Sequence, residues 1–334
     1  VDVQKKIIEE NTKVFLDSVL MTKDAFKNKI IFQGGAGTGK THLALEIAKS
    51  FTQNGSVLLI CFNRGLKYYL KNQTLNYSKI DVKTINEVIT DLEIKEFNED
   101  DITTKILAKN FFYESIIIDE AQDFKREWWN IIFNSSNNSK SNIYIFLDNN
   151  QKIYKNSDYF NLLEKNNFRK IPLSKNFRNS KNIHNLIKGF YDGSDYFCES
   201  VKGEKISLLE CKNKLDVYLN DLLKKLIHEN GILPNQITIL TAVSLDQNYF
   251  NFLTNNSLFN FTNCEYPKAN HVIIDSIYRY KGLENDVVII LNLSEKDDDF
   301  NLLYTGLSRA KLLLYVIDQS SIIFSLKKII ELNR

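Results

Sequence analysis

The stretch Gly34-Gly35-Ala36-Gly37-Thr38-Gly39-Lys40-Thr41 decides the fold of the first half of this chain. Its spacing is G-x-x-x-x-G-K-[ST], and it lies between an apolar run at 29–33 (KIIFQ) and an amphipathic pattern at 41–51. The apolar run predicts a buried strand, and the amphipathic pattern predicts a helix. Glycines let backbone N–H groups turn inward around an anion, and a helix N-terminus adds partial positive charge. We therefore predict a phosphate-binding loop between a strand and a helix.

Two side chains of this loop and two carboxylates further along the chain fit one reaction. Lys40 is expected to reach the terminal phosphates of a nucleotide, and the hydroxyl of Thr41 is expected to bind Mg²⁺. At 116–120 an apolar run ends in Asp119 and Glu120. We expect Asp119 to bind Mg²⁺, and Glu120 to orient and deprotonate the attacking water. The loop and the carboxylates together indicate a P-loop NTPase that hydrolyses its nucleotide.

Short apolar runs alternate with helical patterns along the whole chain, which is typical of parallel α/β sheets. Strands are predicted at 29–33, 57–62, 115–119, 142–147, 206–209, 237–241, 271–275, 287–291 and 312–317, and helices at 41–51, 66–71, 128–133, 183–190, 215–228 and 302–311. We expect a first domain at 1–172, with a minimal insertion at 85–112, and a second at 173–334 without a sizeable insertion. The predicted fold is α/β, with two stacked open sheets and a cleft between them.

Composition and charge limit the function classes. The 43 Lys and Arg residues nearly balance the 41 Asp and Glu residues, which gives a net charge of +2 over 334 residues. Nucleic acid would therefore be held by a local groove and not by bulk positive charge. The four cysteines are too widely spaced for a zinc site or a disulfide framework.

The sequence also bears on location and completeness. No apolar run is long enough to cross a membrane and the N-terminus is not a signal peptide, so we expect a cytoplasmic protein with no membrane partner. The chain begins with Val1 and its single methionine is Met21, which leaves open whether another domain precedes it. The oligomeric state is left open as well.

Seven segments carry a resemblance to a known family. The run 119–123 (DEAQD) resembles motif II of the UvrD/Rep-like superfamily 1A DNA helicases. The other motifs of that family follow in order at 61–64 (CFNR, motif Ia), 82–84 (VKT, Ib), 147–154 (LDNNQKIY, III), 173–178 (LSKNFR, IV), 276–284 (SIYRYKGLE, V) and 303–311 (LYTGLSRAK, VI). Each motif is short, but their order and spacing over nearly the whole chain are specific to this family.

The resemblance implies two RecA-like domains with ATP and Mg²⁺ in the cleft, and single-stranded DNA running across both domains. It implies an ATP-dependent DNA translocase or helicase that moves 3′ to 5′. In this family Gln151 would sense the γ-phosphate, and Arg178 and Arg309 would reach it from the second domain. Phe177 would stack on adenine and Glu284 would contact the sugar. The alternatives are that Phe177 is a core residue and that Glu284 is a solvated surface acid.

The resemblance also places a set of residues on the DNA strand. Asn and Arg side chains can bind phosphates, and an aromatic ring can stack on a base. For Phe62 the alternative is core packing at the end of its strand, and for Tyr278 it is coupling across the cleft. The residues at family positions that face DNA are Phe62, Asn63, Arg64, Thr84 and Tyr278.

The chain departs from the larger family members in size. Residues 85–114 and 242–270 leave room only for short excursions where those members insert helical subdomains. The tryptophan that the family places after motif III is absent, and Tyr159 is a candidate substitute. Three alternatives therefore stay beside a helicase: a DNA-stimulated ATPase that regulates a fused or partner nuclease, a nucleotide-binding module without hydrolysis, and an enzyme that acts on RNA. The intact motif residues argue against the binding module.

Overall fold

The computed structural model describes residues 29–136, 141–151, 163, 166–192, 196–211, 214–255, 257–293, 299–318 and 320–332. The chain divides into two compact units, and the division falls between Ser174 and Lys175. Each unit is a parallel β-sheet with helices, as the alternating pattern of the sequence predicts.

The sheet of the first unit has the strand order β3-β2-β4-β5-β1-β6, and all its pairs are parallel. Its apolar central strands are buried, because helices cover parallel sheets on both faces. Residues such as Ile31, Ile60 and Ile118 form the core. The strands are β1 Lys29–Gly34, β2 Val57–Cys61, β3 Ile80–Thr84, β4 Ser115–Ile118, β5 Asn142–Leu147 and β6 Arg169–Leu173, and the helices are α1 Lys40–Phe51, α2 Arg64–Gln73, α3 Ile85–Asp91, α4 Glu99–Ala108 and α5 Trp128–Asn134.

The second unit begins with a short parallel pair, β7 Lys175–Asn176 and β8 Phe197–Cys198. Its main sheet has the order β11-β12-β10-β13-β14-β9, again with parallel pairs, around a core that includes Ile239, Ile274 and Ile289. The strands are β9 Ser207–Glu210, β10 Ile237–Thr241, β11 Phe261–Thr262, β12 Val272–Ser276, β13 Asn285–Leu291 and β14 Ala310–Asp318, and the helices are α6 Lys181–Lys188, α7 Leu215–Lys224, α8 Gln247–Thr254, α9 Phe300–Leu307 and α10 Ser320–Leu332.

The predicted helix at 302–311 is wrong at its C-terminal end. Helix α9 ends at Leu307, and Lys311 lies in β14, which begins at Ala310. The reason is that the alternating pattern of β14 (AKLLLYVID) starts earlier than the apolar run that predicted it, and it pairs with β13 from Asn285 onward.

Two edge strands of the first unit were not predicted from the sequence. Strands β3 (IDVKT) and β6 (RKIPL) lack the continuous apolar run of a central strand, and β6 contains Pro172. Both lie at the edges of their sheet, where charged residues and proline are tolerated. Strand β6 also matters for the site. It pairs with β1 along its length, as far as Gly34 opposite Leu173, so it borders the start of the glycine loop.

Candidate active site

Two glycines fix the shape of the predicted phosphate-binding loop. Gly34 ends β1 against β6, where a Cβ atom would lie 2.5 Å from the carbonyl oxygen of Leu173. Gly39 precedes α1 with a φ of +83°, in the left-handed region that glycine adopts without strain. The loop therefore needs glycine at 34 for close approach and at 39 for backbone conformation. The hydroxyl of Thr38 donates a hydrogen bond to the carbonyl of Gly35 at 2.9 Å, across the loop.

The ammonium group of Lys40 lies inside this loop. Its Nζ atom donates hydrogen bonds to the carbonyl oxygens of Gly34 (2.9 Å) and Gly35 (2.8 Å), and it lies 3.6 Å from a carboxylate oxygen of Asp148. Lys40 is 7% exposed and Asp148 is 1% exposed, so this charge pair is buried. The lysine is thus held at the position where phosphate oxygens would be expected to meet it.

Asp119 follows β4 and is completely buried. Its backbone N–H donates to the carbonyl of Ile60 at 2.8 Å, which keeps it in register with β2. One carboxylate oxygen accepts the N–H of Glu120 at 3.0 Å, whereas Oδ2 is buried and has no hydrogen-bond partner among the described residues. Burial and the charge of Glu120 raise the pKa of Asp119, and the hydroxyl of Thr41 and the charge of Lys40 oppose this.

The donor set at this point fits Mg²⁺. A hard cation takes oxygen ligands, and the Asp119 carboxyl, whose Oδ2 has no partner among the described residues, lies close enough to the Thr41 hydroxyl for a hydrogen bond from it to lower the carboxyl pKa. A cation would also remove the electrostatic cost of keeping Asp119 ionised beside Glu120. The two predicted metal ligands are therefore brought together by the fold. Among the described residues, three or more His, Cys, Asp or Glu side chains nowhere come together in a group that could hold a metal ion.

Glu120 has an unusual backbone and a defined side-chain partner. Its φ is +58° and its ψ is +39°, a left-handed conformation, and it is 4% exposed. The amide of Gln122 donates to its carboxylate at 2.5 Å, and the carbonyl oxygen of the same amide accepts the N–H of Asp148 at 3.1 Å. Gln122 thus joins the predicted general base to the segment after β5.

The turn after β5 carries Gln151. Asp148 organises it, because its carbonyl accepts the N–H of Gln151 at 3.0 Å and its carboxylate accepts the N–H of Asn150 at 3.0 Å. Gln151 itself is 2% exposed. Asp148 therefore contacts both the loop lysine and the turn of the predicted γ-phosphate sensor. The remainder of motif III at 152–154 and the candidate Tyr159 lie outside the described residues.

The predictions from sequence did not assign roles to Gln122 and Asp148. Both lie within motifs that were recognised, 119–123 and 147–154. The sequence offered one signal for them, namely that each is a polar residue near a strand end that is expected to be buried. Their partners could not be known, because the Gln122–Asp148 contact joins segments 26 positions apart.

The predicted DNA-contact residues of the first unit have local structural roles. Asn63 caps α2 by accepting the N–H of Leu66 at 2.8 Å. Thr84 caps α3 in a capping box with Glu87, and it is 4% exposed. Phe62 is partly buried and packs against the core, whereas Arg64 is exposed at the start of α2. Contact of these residues with DNA stays a prediction.

In the second unit Arg178 forms an ion pair with Glu284. Lys311 lies 3.2 Å from the other carboxylate oxygen of Glu284. Burial alone would raise the pKa of Glu284, but the charges of Arg178 and Lys311 lower it to about 2. Glu284 is therefore a half-buried, ionised partner of two cations. Its contact with a nucleotide sugar stays a prediction.

Arg309 is 1% exposed at the turn between α9 and β14. Its guanidinium donates to the carbonyls of Thr305 (2.8 Å) and Leu283 (3.2 Å) and to the hydroxyl of Ser308 (2.9 Å). Phe177 is buried, as the core interpretation requires, and Tyr278 is half-buried. The structure thus holds Arg309 in one orientation within its own unit, and the roles of these three residues stay predictions.

All four cysteines are free thiols, with Cys61 and Cys264 buried. Over the part of the chain that the structure describes, no helix has the length and apolar character that a membrane span requires.

Comparison with protein families gives two matches along the chain. Residues 20–157 match an AAA domain, and residues 271–317 match a UvrD-like helicase C-terminal domain. The first match contains the phosphate-binding loop with Asp119 and Glu120, and the second contains Glu284 and Arg309. The two matches therefore contain most of the predicted nucleotide residues in the predicted order, whereas Phe177 and Arg178 lie between the two matched segments.

Three solved structures have a similar fold. The PRRSV helicase is 11% identical, with a TM-score of 0.51 over 88% of this chain and 53% of that one. Arterivirus nonstructural protein 10 (helicase) is 15% identical, with a TM-score of 0.49 over 89% and 61% of the two chains. The same Arterivirus protein in complex with DNA is 14% identical, with a TM-score of 0.48 over 90% and 63%. This chain thus spans less than two thirds of these helicases.

The predicted fold class is confirmed. The parallel sheets flanked by helices, the AAA domain and the likeness to the PRRSV helicase are those of a P-loop NTPase with RecA-like domains.

Proposed function

Because this chain belongs to the UvrD-like superfamily 1 helicases, we propose that it is an ATP-dependent motor that moves along single-stranded DNA. The reaction would be hydrolysis of ATP to ADP and phosphate with Mg²⁺, and the direction of movement 3′ to 5′. The observation that carries the proposal is the arrangement of Lys40, Asp119 and Glu120. A buried cation in a glycine loop and two buried carboxylates after β4 are what nucleotide hydrolysis needs.

The first unit would bind the nucleotide phosphates and activate water. Backbone N–H groups of the loop at 34–41 would surround the phosphates, and the Lys40 ammonium would exchange two carbonyl partners for phosphate oxygens. Thr41 and Asp119 would hold Mg²⁺, which neutralises charge on the phosphate oxygens when bound. Glu120 would accept a proton from the attacking water, with its carboxylate oriented by Gln122.

The remaining nucleotide roles are proposals that rest on the family motifs. Gln151 would sense the γ-phosphate from a turn that Asp148 already orders. Arg178 and Arg309 would stabilise the negative charge that develops on the transferring phosphoryl group. Phe177 and Glu284 would contact the nucleoside. An arginine at such a position is typically worth about 10³–10⁵ in rate.

DNA would be the strand on which the motor moves. The exposed Arg64 and the partly buried Phe62 in the first unit, with Tyr278 in the second, offer a cation and two aromatic rings. Asn63 and Thr84 would contact the strand beside these residues, from backbone turns that their helix caps fix.

A specific observation favours a second candidate function. Where larger members of the family insert subdomains, the described residues form only α3 and α4 in the first unit and α8 and β11 in the second. Separating DNA strands costs about 1.4 kcal/mol per base-pair step, and a structural wedge normally supplies the contacts for this. A core of this size therefore suits a DNA-stimulated ATPase that regulates a fused or partner nuclease and unwinds little by itself.

The test is steady-state phosphate release with single-stranded DNA, with RNA of the same sequence, and with no strand. Glu120→Gln is the matched control, since it keeps the shape of the side chain and removes the base. We expect DNA to stimulate hydrolysis by the wild type, and Glu120→Gln to bind ATP without turnover. Hydrolysis by Glu120→Gln at the wild-type rate would refute the assignment of the base, and stimulation by RNA alone would refute DNA as the substrate.

The two candidates are separated by a strand-displacement assay on a duplex with a 3′ single-stranded tail. Displacement by the chain alone supports a helicase. DNA-stimulated hydrolysis without displacement supports the ATPase that acts with a nuclease. No hydrolysis under any condition would instead support the nucleotide-binding module.

A further inference from the structure

One buried asparagine joins the two arginine-bearing segments of the second unit. Asn179 is completely buried, one residue after Arg178. Its side-chain amide donates to the carbonyl oxygens of Ser308 (2.8 Å) and Ala310 (2.6 Å), which are the residues on either side of Arg309. Both N–H groups of one amide therefore hold the backbone that carries Arg309.

A second asparagine fixes the backbone around Arg178 in the same way. The side-chain oxygen of Asn176 accepts the N–H groups of Arg178 (3.0 Å) and Asn179 (3.1 Å). Its amide nitrogen donates to the side-chain oxygen of Asn179 at 2.9 Å. The turn from 176 to 179 is thus closed on itself and tied, through Asn179, to the turn that holds Arg309.

The pair of asparagines is anchored in the unit and shielded from water. The amide nitrogen of Asn176 also lies 2.9 Å from the hydroxyl of Tyr196 and 3.2 Å from Nδ1 of His184. The N–H of Ser180 donates to the carbonyl of Lys311 at 2.8 Å, which ties the two segments a second time. Buried polar groups without water gain most from complete hydrogen bonding, so this network permits one geometry of the two turns.

We propose that Asn179 is a positioning residue that sets the Arg178 and Arg309 backbones relative to each other. The inference rests on the proposed function, in which both arginines act on the nucleotide. Only a primary amide can donate to two carbonyls at once while its oxygen accepts a third bond, and neither aspartate nor serine has two donors. A displacement of about 1 Å in a catalytic group can cost about 10²-fold in rate, so the fixed spacing matters for hydrolysis.

The experiment compares Asn179→Asp with a matched control in the same unit, Asn182→Asp. Asn182 also donates from one amide to two backbone carbonyls, those of Gly203 (3.1 Å) and Glu204 (3.0 Å), but it contacts neither arginine segment in these bonds. We expect Asn179→Asp to lower the kcat for ATP at least about tenfold. The KM and the binding of one fluorescent ATP analogue per chain should stay within about twofold, and Asn182→Asp should keep the wild-type kcat.

A double-mutant cycle with Arg309→Ala separates positioning from a general structural role. If Asn179 acts through the arginines, Asn179→Asp should cost much less in kcat when Arg309 is already alanine. Equal fold-losses in both backgrounds would overturn the inference. Should Asn179→Asp fail to fold, as judged by its thermal melting, Asn179→Ser is measured in the same cycle and decides by the same criterion.

The outcomes distinguish this inference from the proposed function. A wild-type chain without any ATP hydrolysis refutes the proposed function and this inference with it. An active wild type whose Asn179→Asp variant hydrolyses as fast as Asn182→Asp overturns only the positioning role. A selective loss of kcat that becomes much smaller in the Arg309→Ala background supports it.

Discussion

Lowering the pH should weaken the second unit through His184. The ring is 3% exposed in α6, and it packs at a tilt against the ring of Tyr196 with 4.6 Å between the ring centroids. Burial and the nearby charge of Lys188 lower the pKa of His184 to about 4. The ring is therefore neutral at physiological pH, and its Nδ1 can accept the Asn176 amide proton.

The magnitude follows from the difference between the folded and unfolded pKa. An unfolded histidine titrates near pH 6.5, so below that pH the unfolded chain binds a proton that the folded chain does not. Stability is complete above pH 6.5, falls as the pH drops, and levels off below about pH 4. Each pKa unit is worth about 1.4 kcal/mol, so the loss is about 2 kcal/mol at pH 5 and about 3 kcal/mol in full.

The assay is urea unfolding of the wild type and of His184→Gln at about pH 7.5 and about pH 5, followed by circular dichroism. Glutamine keeps an acceptor for Asn176 and does not titrate, whereas the carboxylates titrate in both proteins. We expect the wild type to lose about 2 kcal/mol more than the variant between the two pH values. Equal losses, or an NMR titration that places the pKa of His184 near 6.5, would refute the argument.

Three substitutions test the nucleotide site by steady-state phosphate release. Lys40→Ala should abolish turnover while the chain still folds, with a lower melting temperature because Asp148 loses its buried cationic partner; turnover near the wild-type rate would contradict the role of Lys40. Gln122→Ala removes the donor to Glu120 and the acceptor of the Asp148 N–H, so kcat should fall about tenfold and stability by about 1–3 kcal/mol. Arg309→Ala should slow hydrolysis more than it weakens ATP binding measured by fluorescence titration, and an unchanged kcat would exclude it from the reaction.

The sequence predicted the parts of the fold that depend on local pattern. Strands β1, β5 and β10 lie where apolar runs placed them, and the loop lies between β1 and α1, because glycine spacing and a buried run each need only neighbouring residues. Edge strands β3 and β6 carry no comparable pattern, since one side of each has no neighbour to pair with.

The residues of the candidate site could be named from the sequence, but their contacts could not. Motif spacing was enough to name Lys40, Asp119 and Glu120, and their roles stay predictions. Asn179 bonds to residues 129 and 131 positions away, and no local pattern reports such a pairing. Polar side chains that position other side chains are therefore the part of a site that only the folded structure reveals.

The left-handed backbone of Glu120 has a consequence for how this protein can change. For an L-residue this conformation costs about 1–2 kcal/mol, whereas glycine adopts it freely. Backbone stability alone would therefore favour glycine at a position where the proposed mechanism requires a carboxylate. If Glu120 is the base, a change to glycine would make the backbone more stable and leave a protein that holds nucleotide without hydrolysing it, so stability and turnover make opposite demands at position 120.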